Sequence, residues 1–345
     1  MMLKIIDYNS SGEGVGKLDG FVYFVPFVLV GETVKVQITK QHKSYARAEI
    51  LEIIEPSPHR ITPECPHFGT CGGCDLLHMT YDEELRFKQN KVAKALRLPE
   101  IPIIPSPATR HYRNKTTWQT DGTSIGLYAK KSHDVIDIEH CLIQSEKANE
   151  LRPVRLSYRE NLQKLCGLEF KVSEQSFFQV NNAAAEKLIE LIKTAINPTE
   201  TVLDLYCGVG AISLCIASQA RSVVGIEINE EAVADARQNV ASNQITNAEF
   251  ITGKSEKAIE DIDLKSFDAI ILDPPRAGCD KHLITTLNAS EISKIIYVSC
   301  DSATLARDIK MLDNYAITTA TAVDMFPRTA HVETCVVLTK KEISP

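Results

Sequence analysis

No stretch of this chain is long and apolar enough to cross a bilayer: the longest apolar run, residues 21–30, is interrupted by Pro26. Residues 1–14 lack an apolar segment flanked by basic residues and lack a cleavage pattern. No export signal is therefore read, and a cytoplasmic protein without membrane contact is expected. Net positive charge is also missing. The 38 Lys and Arg are outnumbered by 45 Asp and Glu, a balance of −7 that argues against nucleic acid until it is resolved along the chain. Between residues 84 and 131 the balance reverses, with ten basic residues (Arg86, Lys88, Lys91, Lys94, Arg97, Arg110, Arg113, Lys115, Lys130 and Lys131) against Glu84, Glu100 and Asp121, a local +7. Such asymmetry is the footprint expected of a polyanion binder, although a solvated helix face gives the same count.

Cysteine, by contrast, is plentiful, with ten in the chain. In an unexported protein they argue against a disulfide framework and for metal binding or catalysis. A length of 345 residues predicts two or three domains. The first, placed at residues 1–56, is rich in Val, Ile, Phe and Tyr and punctuated by Gly12, Gly14, Gly16, Gly20 and Gly31. Short strands closing into a small barrel are the natural reading, with turns at Asp19-Gly20 and Val30-Gly31. Lys40, His42, Lys43, Tyr45 and Arg47 suit a surface facing phosphates. The layout Gly12-Glu13-Gly14-Val15-Gly16, Phe24-Val25-Pro26 and Gly31-Glu32 resembles the TRAM domain, an RNA-binding barrel of the oligonucleotide-binding type.

Pro56, Pro58 and Pro63 mark a linker into a second, α+β domain placed at residues 57–175. Cys65, Cys71 and Cys74 are spaced C-x5-C-x2-C and cannot complete a four-sulfur site alone; Cys141, next to His140, is the best fourth ligand. Structural zinc usually pairs two short Cys knuckles, and only one is present here. A compact run of three cysteines plus a distant one is commoner in iron–sulfur proteins. Gly72-Gly73 would let the backbone curl around a cluster, so a cluster is favoured over zinc, and both over unrelated thiols. Residues 81–98 read as an amphipathic basic helix, and residues 111–118 as a strand alternating basic and apolar faces. Further strands are expected at 124–128 and 135–138.

From residue 176 the pattern changes. A helix over 182–196, capped by Asn181 or Asn182, leads into strands at 201–205, 222–228, 248–252, 267–272 and 294–299, alternating with helices from Ala211 and over 230–242. That alternation is a Rossmann-like, doubly wound parallel sheet, an α/β domain placed at residues 176–345. Strand 201–205 runs into Cys207-Gly208-Val209-Gly210, and Glu227 follows 19 residues after Gly208, where an acid binds ribose hydroxyls. Position 213, where a dinucleotide fingerprint has its third glycine, is Ser. Asp204 is placed to accept a hydrogen bond from a cationic amino-acid moiety, and Asp273-Pro274-Pro275-Arg276 is a rigid loop of the type that base methyltransferases set beside a target base. Together they favour S-adenosylmethionine over NAD, for which no hydride-transfer site is present.

Residues 295–301 read as a buried strand delivering Cys300 to the sheet edge, where open α/β sheets bind ligands. A core thiol is the plain alternative. Beside a methyl donor the thiol gains a use: added to carbon 6 of uracil, it makes carbon 5 nucleophilic, and a base must then remove the carbon 5 proton. His331 and Glu333 are the candidates, His331 by its ordinary pKa.

The motifs Cys65 to Cys74 with Cys141, Phe177-Phe178-Gln179-Val180-Asn181, Asp204-Leu205-Tyr206-Cys207-Gly208, Asp273-Pro274-Pro275-Arg276, Val298-Ser299-Cys300-Asp301 and His331-Val332-Glu333-Thr334 resemble, in order and over nearly the whole chain, the RNA uridine-C5 methyltransferase family. The resemblance implies Cys300 as nucleophile and Glu333 as proton acceptor. It implies Gln179, Tyr206, Glu227 and Asp273 as contacts to S-adenosylmethionine, and a 4Fe-4S cluster on Cys65, Cys71, Cys74 and Cys141. Ala211 and Lys254 depart from the family pattern near the cofactor, and the central region is short. Barrel plus cluster points to a monomeric enzyme acting on 23S ribosomal RNA, with the transfer RNA T-loop as the alternative substrate. The uridine would be flipped out, with aromatics of residues 111–118 stacking on the RNA. A non-catalytic RNA-binding iron–sulfur protein is the reading from another class.

Overall fold

The computed structural model describes residues 1–342. Five strands, β1 (Met2–Tyr8), β2 (Gly14–Leu18), β3 (Phe21–Val25), β4 (Thr33–Gln41) and β5 (Tyr45–Glu55), close into a barrel in the order β1-β2-β3-β5-β4. Alternation drives it: Leu3 and Ile5 of β1 and Val34 and Val36 of β4 point inward, while Met2 and Lys4 face solvent. Asp19 and Gly20, at φ 50° and 80°, form the tight β2–β3 turn, both central residues being left-handed as a two-residue hairpin requires. Gly16 has no room for a side chain, since a Cβ there would meet Leu3 Cγ at 2.4 Å.

Next come α1 (Tyr81–Leu96) and the two-residue strand β6 (Ile103–Ile104). Helix α1 carries Asp82, Glu83 and Glu84 in its first turn and Lys94 in its last, matching the helix dipole, and stops where Arg97 turns left-handed at φ 56°. Although both elements precede the large sheet in sequence, they pack on it: β6 pairs with its far edge, and Val92 and Ala93 of α1 join its core. The cysteine-bearing region holds β7 (Lys115–Thr117), β8 (Gln119–Thr120), β9 (Ile125–Tyr128), β10 (Val135–Asp137), α2 (Glu146–Leu151) and β11 (Ser157–Arg159). Within it β10-β9-β8 form one small sheet and β11-β7 another. The hairpin β12 (Leu162–Leu165) with β13 (Leu168–Lys171) follows.

The remaining elements are α3 (Asn182–Thr194), β14 (Thr201–Leu205), α4 (Ala211–Ala217), β15 (Ser222–Glu227), α5 (Glu230–Ser242), β16 (Ala248–Thr252), α6 (Ser255–Asp261), β17 (Ala269–Leu272), α7 (Lys281–Ala289), β18 (Lys294–Ser299), α8 (Ser302–Met311), β19 (Tyr315–Val323) and β20 (Glu333–Lys340). They build an eight-stranded sheet in the order β16-β15-β14-β17-β18-β20-β19-β6, parallel from β16 to β18, with β20 antiparallel. Asn181 caps α3, accepting from the Ala184 N–H at 3.2 Å. The doubly wound Rossmann-like expectation is met. No helix among the described residues is long and apolar enough to cross a membrane.

One expectation about RNA contact is narrowed and another fails. Most of the basic excess of residues 84–131 is neutralised by acids: Lys94 by Asp7, Arg110 by Glu64, Lys130 by Asp75 and Lys131 by Glu13. Lys88 is fully buried, its Nζ 2.7 Å from Glu84 Oε1 and 2.5 Å from Asp324 Oδ1. Helix α1 is therefore clamped between barrel and sheet; Lys88 serves that packing, whereas Arg86 and Lys94 pair with acids at the surface. The strand expected over residues 111–118 is confined to β7, because His111 turns the chain at φ 53°. Tyr112 and Trp118 are buried, the Tyr112 hydroxyl donating to the Pro327 carbonyl at 2.9 Å, so neither can stack on a base.

Candidate active site

Strand β18 is buried nearly throughout and delivers Cys300 at its carboxyl end; Asp301 then caps α8, accepting from the N–H groups of Ala303 and Thr304 at 2.9 and 3.0 Å. The antiparallel register pairs Val298 with Cys335 and Ser299 with Thr334, so the next step places Cys300 opposite Glu333. Glu333 is 4% exposed and its Oε2 has no hydrogen-bond partner. Burial pushes its carboxyl up to about 8, and the charge of Asp273 adds to the rise. The Cys300 thiol is raised to about 11, first by burial and then by the Glu333 carboxylate, with the Arg276 guanidinium pulling the other way. Asp273, at the end of β17, is raised to about 7 by burial alone. A buried carboxyl and a half-exposed thiol thus share one site, with one guanidinium to stabilise negative charge.

His331, the rival base, is held neutral: burial first, and Arg276 and Lys91 next, lower its imidazole to about 4. Its Nε2 lies 3.4 Å from the Arg276 guanidinium, which occupies the lone pair a base would use.

A second cavity adjoins the glycine turn. Gln179, Tyr206, Gly208, Ala211 and Asp273 line it, together with Phe177, so three of the four residues expected to hold the cofactor share one wall. Tyr206 sits at φ 65° where the strand breaks into the turn, and its hydroxyl donates to Glu256 at 3.0 Å. Glu227, the fourth, ends β15 and accepts from the Gly208 N–H at 3.1 Å and the Asn229 N–H at 2.8 Å, so its carboxylate fixes the turn. Asp204 does not face the cavity, contrary to the role expected of it. It is buried on β14 with the Ser213 hydroxyl donating to Oδ2 while Oδ1 has no partner, which gives the serine at the third fingerprint position a function.

Cys65, Cys71, Cys74 and Cys141 line a third cavity, walled by Leu77, Leu127 and Ile138. Burial raises the thiols of Cys71, Cys74 and Cys141, and proximity to one another adds to it, so a cationic group is needed for all to ionise. No three of these sulfurs lie within 4.8 Å of one another. A single tetrahedral zinc, with Zn–S near 2.3 Å, requires sulfurs only about 3.8 Å apart. The Gly73 N–H donates to Cys71 Sγ at 3.3 Å, and a Cβ on Gly72 would approach the Tyr128 carbonyl to 3.1 Å, so the glycine pair does bring backbone close to sulfur.

The roles of Arg276, which faces the thiol, and Glu256, which orients Tyr206, escaped the sequence reading. Arg276 lay in a motif read only for rigidity, and Glu256 carries no local pattern.

Comparison with known proteins agrees with this geometry. Residues 160–341 match the model of the tRNA (Uracil-5-)-methyltransferase family, and residues 3–51 match that of the TRAM domain. An uncharacterized RNA methyltransferase of Listeria innocua is 32% identical, with 98% of this chain and 97% of the relative covered. That alignment extends over 444 positions, so the relative carries segments that a chain of 345 residues lacks. A similarly named protein of Clostridium acetobutylicum is also 32% identical, over 97% of this chain and 96% of its own. Among solved structures, the Pyrococcus abyssi tRNA (uracil-54, C5)-methyltransferase in complex with S-adenosyl-L-homocysteine superposes with a TM-score of 0.82 at 26% identity, covering 98% of this chain and all of that one.

Proposed function

The chain belongs to the tRNA (uracil-5-)-methyltransferase family, and from that premise we propose that it methylates carbon 5 of a uridine in 23S ribosomal RNA, with Cys300 as nucleophile and Glu333 as base. The observation that carries this reading is the placement of Cys300 opposite Glu333 on paired strands at the sheet edge where Asp273 meets the glycine-turn cavity. Bound there, S-adenosylmethionine supplies an electrophilic methyl group.

Cys300 Sγ, as thiolate, bonds to carbon 6 of the flipped uracil, and the displaced electron pair makes carbon 5 a nucleophile for that methyl. The Glu333 carboxylate then takes the carbon 5 proton, and the returning pair expels the Cys300 thiolate, so the enzyme is regenerated. Arg276 stabilises the thiolate. Gln179, Tyr206 and Asp273 line the methyl-donor pocket, and Glu227 shapes its turn.

Both working groups act as anions and both are raised in the resting site, Glu333 to about 8 and Cys300 to about 11, so methyl transfer should climb as pH rises through about 8 and go on climbing toward about 11. A pH–kcat/KM profile flat between about pH 6 and 9 would place the proton acceptor elsewhere.

The four cysteines are read as ligands of a 4Fe-4S cluster, which would supply the positive charge their ionisation requires. Anaerobically purified protein should be brown and hold about four irons per chain. Stoichiometric zinc with Zn–S near 2.3 Å would reverse this assignment.

A transfer RNA T-loop is the second reading for the substrate, favoured by the similarity to the Pyrococcus abyssi enzyme over both full chains. Mapping 5-methyluridine in ribosomal and transfer RNA from a strain lacking the gene decides. A missing 23S position supports the proposal, a missing T-loop position supports the second reading, and unchanged RNA overturns both.

A further inference from the structure

His111, His140 and Glu146 meet on the surface of the cysteine-bearing region, their ligating atoms all within 4.8 Å of one another, a grouping unique among the described residues. One carboxylate bridges two imidazoles: Glu146 Oε1 lies 3.2 Å from His111 Nε2, and Oε2 lies 3.2 Å from His140 Nε2. The second ring nitrogen of His111, Nδ1, lies 3.0 Å from the Gln144 carbonyl. A carbonyl only accepts, so Nδ1 carries a hydrogen. That leaves Nε2, the atom 3.2 Å from Glu146, as the ring position open to a metal.

We propose that His111, His140 and Glu146 form a zinc site, distinct from the four-cysteine cavity, whose lining includes none of the three. Two imidazoles and a carboxylate suit zinc, and three protein ligands leave a position open to water. The Gln144 carbonyl on His111 Nδ1 is the outer partner that metal-bound histidines characteristically have. The ligands are also held in place. The His111 N–H donates to the Leu142 carbonyl at 2.8 Å, and the Cys141 N–H, next to His140, donates to Asn149 Oδ1 at 2.9 Å. Ser145 caps α2 by accepting from the Ala148 N–H at 3.2 Å, which fixes Glu146 at the first helical position.

The ion would clasp the chain around His111 to α2 and to the Cys141 segment. Three residues on from His111, the Asn114 side chain donates to the Gln179 carbonyl at 2.9 Å, so the clasp steadies the segment that supports a wall of the glycine-turn cavity. This inference is independent of the methyltransferase reading.

Zinc alone, added to the purified full-length protein with its cysteine site as isolated, tests it by calorimetry and X-ray absorption. One equivalent should bind with a shell of nitrogen and oxygen only, at about 2.0 Å and with imidazole scattering. His140→Ala and the conservative, exposed Glu146→Gln, each checked for folding by circular dichroism, should weaken binding by about tenfold or more. No uptake by the wild type, a sulfur shell near 2.3 Å, or affinity unchanged in both variants would overturn the proposal.

Discussion

Cys300→Ala is expected to bind RNA as the wild type does and to lose methyl transfer by about 10⁴-fold or more, the scale on which removal of an attacking nucleophile acts. The reason lies in the substrate. Carbon 5 of uracil is a poor nucleophile until a thiolate adds to carbon 6, and Cys300 is the half-exposed thiol beside Glu333, whereas Cys335, two residues along β20, is buried. The substitution removes a half-buried thiol whose ionisation the site opposes, so the fold should be unharmed and the loss confined to kcat. Single-turnover methylation, read beside RNA binding, separates the two. Turnover retained within tenfold would mean that carbon 6 is attacked by another group, or not at all.

The second large effect is on stability. Lys88→Met should cost about 3–5 kcal/mol, because it strips the cation from two buried carboxylates. Lys88, Glu84 and Asp324 are all fully buried, and Lys88 also donates to the Phe326 carbonyl at 3.1 Å. Arg328 and the Tyr81 hydroxyl remain as partners of Glu84 and Asp324 but cannot replace a shared ammonium. Burial already raises the Glu84 carboxyl, and losing Lys88 raises it further. A carboxyl raised in the folded state destabilises as pH climbs above its unfolded value, so the deficit should grow from about pH 4 upward and shrink in acid. Urea unfolding at several pH values measures it. A loss below about 1 kcal/mol at neutral pH would show that Lys88 is not the counter-charge. Because Asp324 and Phe326 lie on the segment that leads to His331 and Glu333, this triad also ties α1 to the loop that carries the proposed base.

What the sequence made legible and what it hid divide along a physical line. Strand and helix alternation announced the parallel sheet, and the barrel followed from glycine turns and inward Leu, Ile and Val, because these signals are local. The approach of Cys300 to Glu333 was inferred from resemblance, whereas its cause is the register of β18 on β20, a long-range pairing that no local pattern encodes. Charge misled for the same reason. The +7 of residues 84–131 is real in sequence, but Asp7, Glu13, Glu64, Asp75 and Asp324 reach it from outside that window. Alternation also misled at residues 111–118, where the aromatic rings turn inward. Lys88 counted in the sequence among the basic residues of α1; only Asp324, more than two hundred residues away, joins it and Glu84 in a buried triad.

The central claim is that Cys300 attacks the uridine and Glu333 completes the reaction, and a denaturing gel of Glu333→Gln incubated with substrate RNA and S-adenosylmethionine tests it most directly. Glutamine keeps the shape of the buried side chain and cannot take the carbon 5 proton, so methylation should proceed and elimination should stall. A protein–RNA adduct that survives denaturation, carries the methyl group and disappears when Cys300→Ala is added is the predicted result. Free 5-methyluridine RNA released at the wild-type rate, with no adduct, would contradict it.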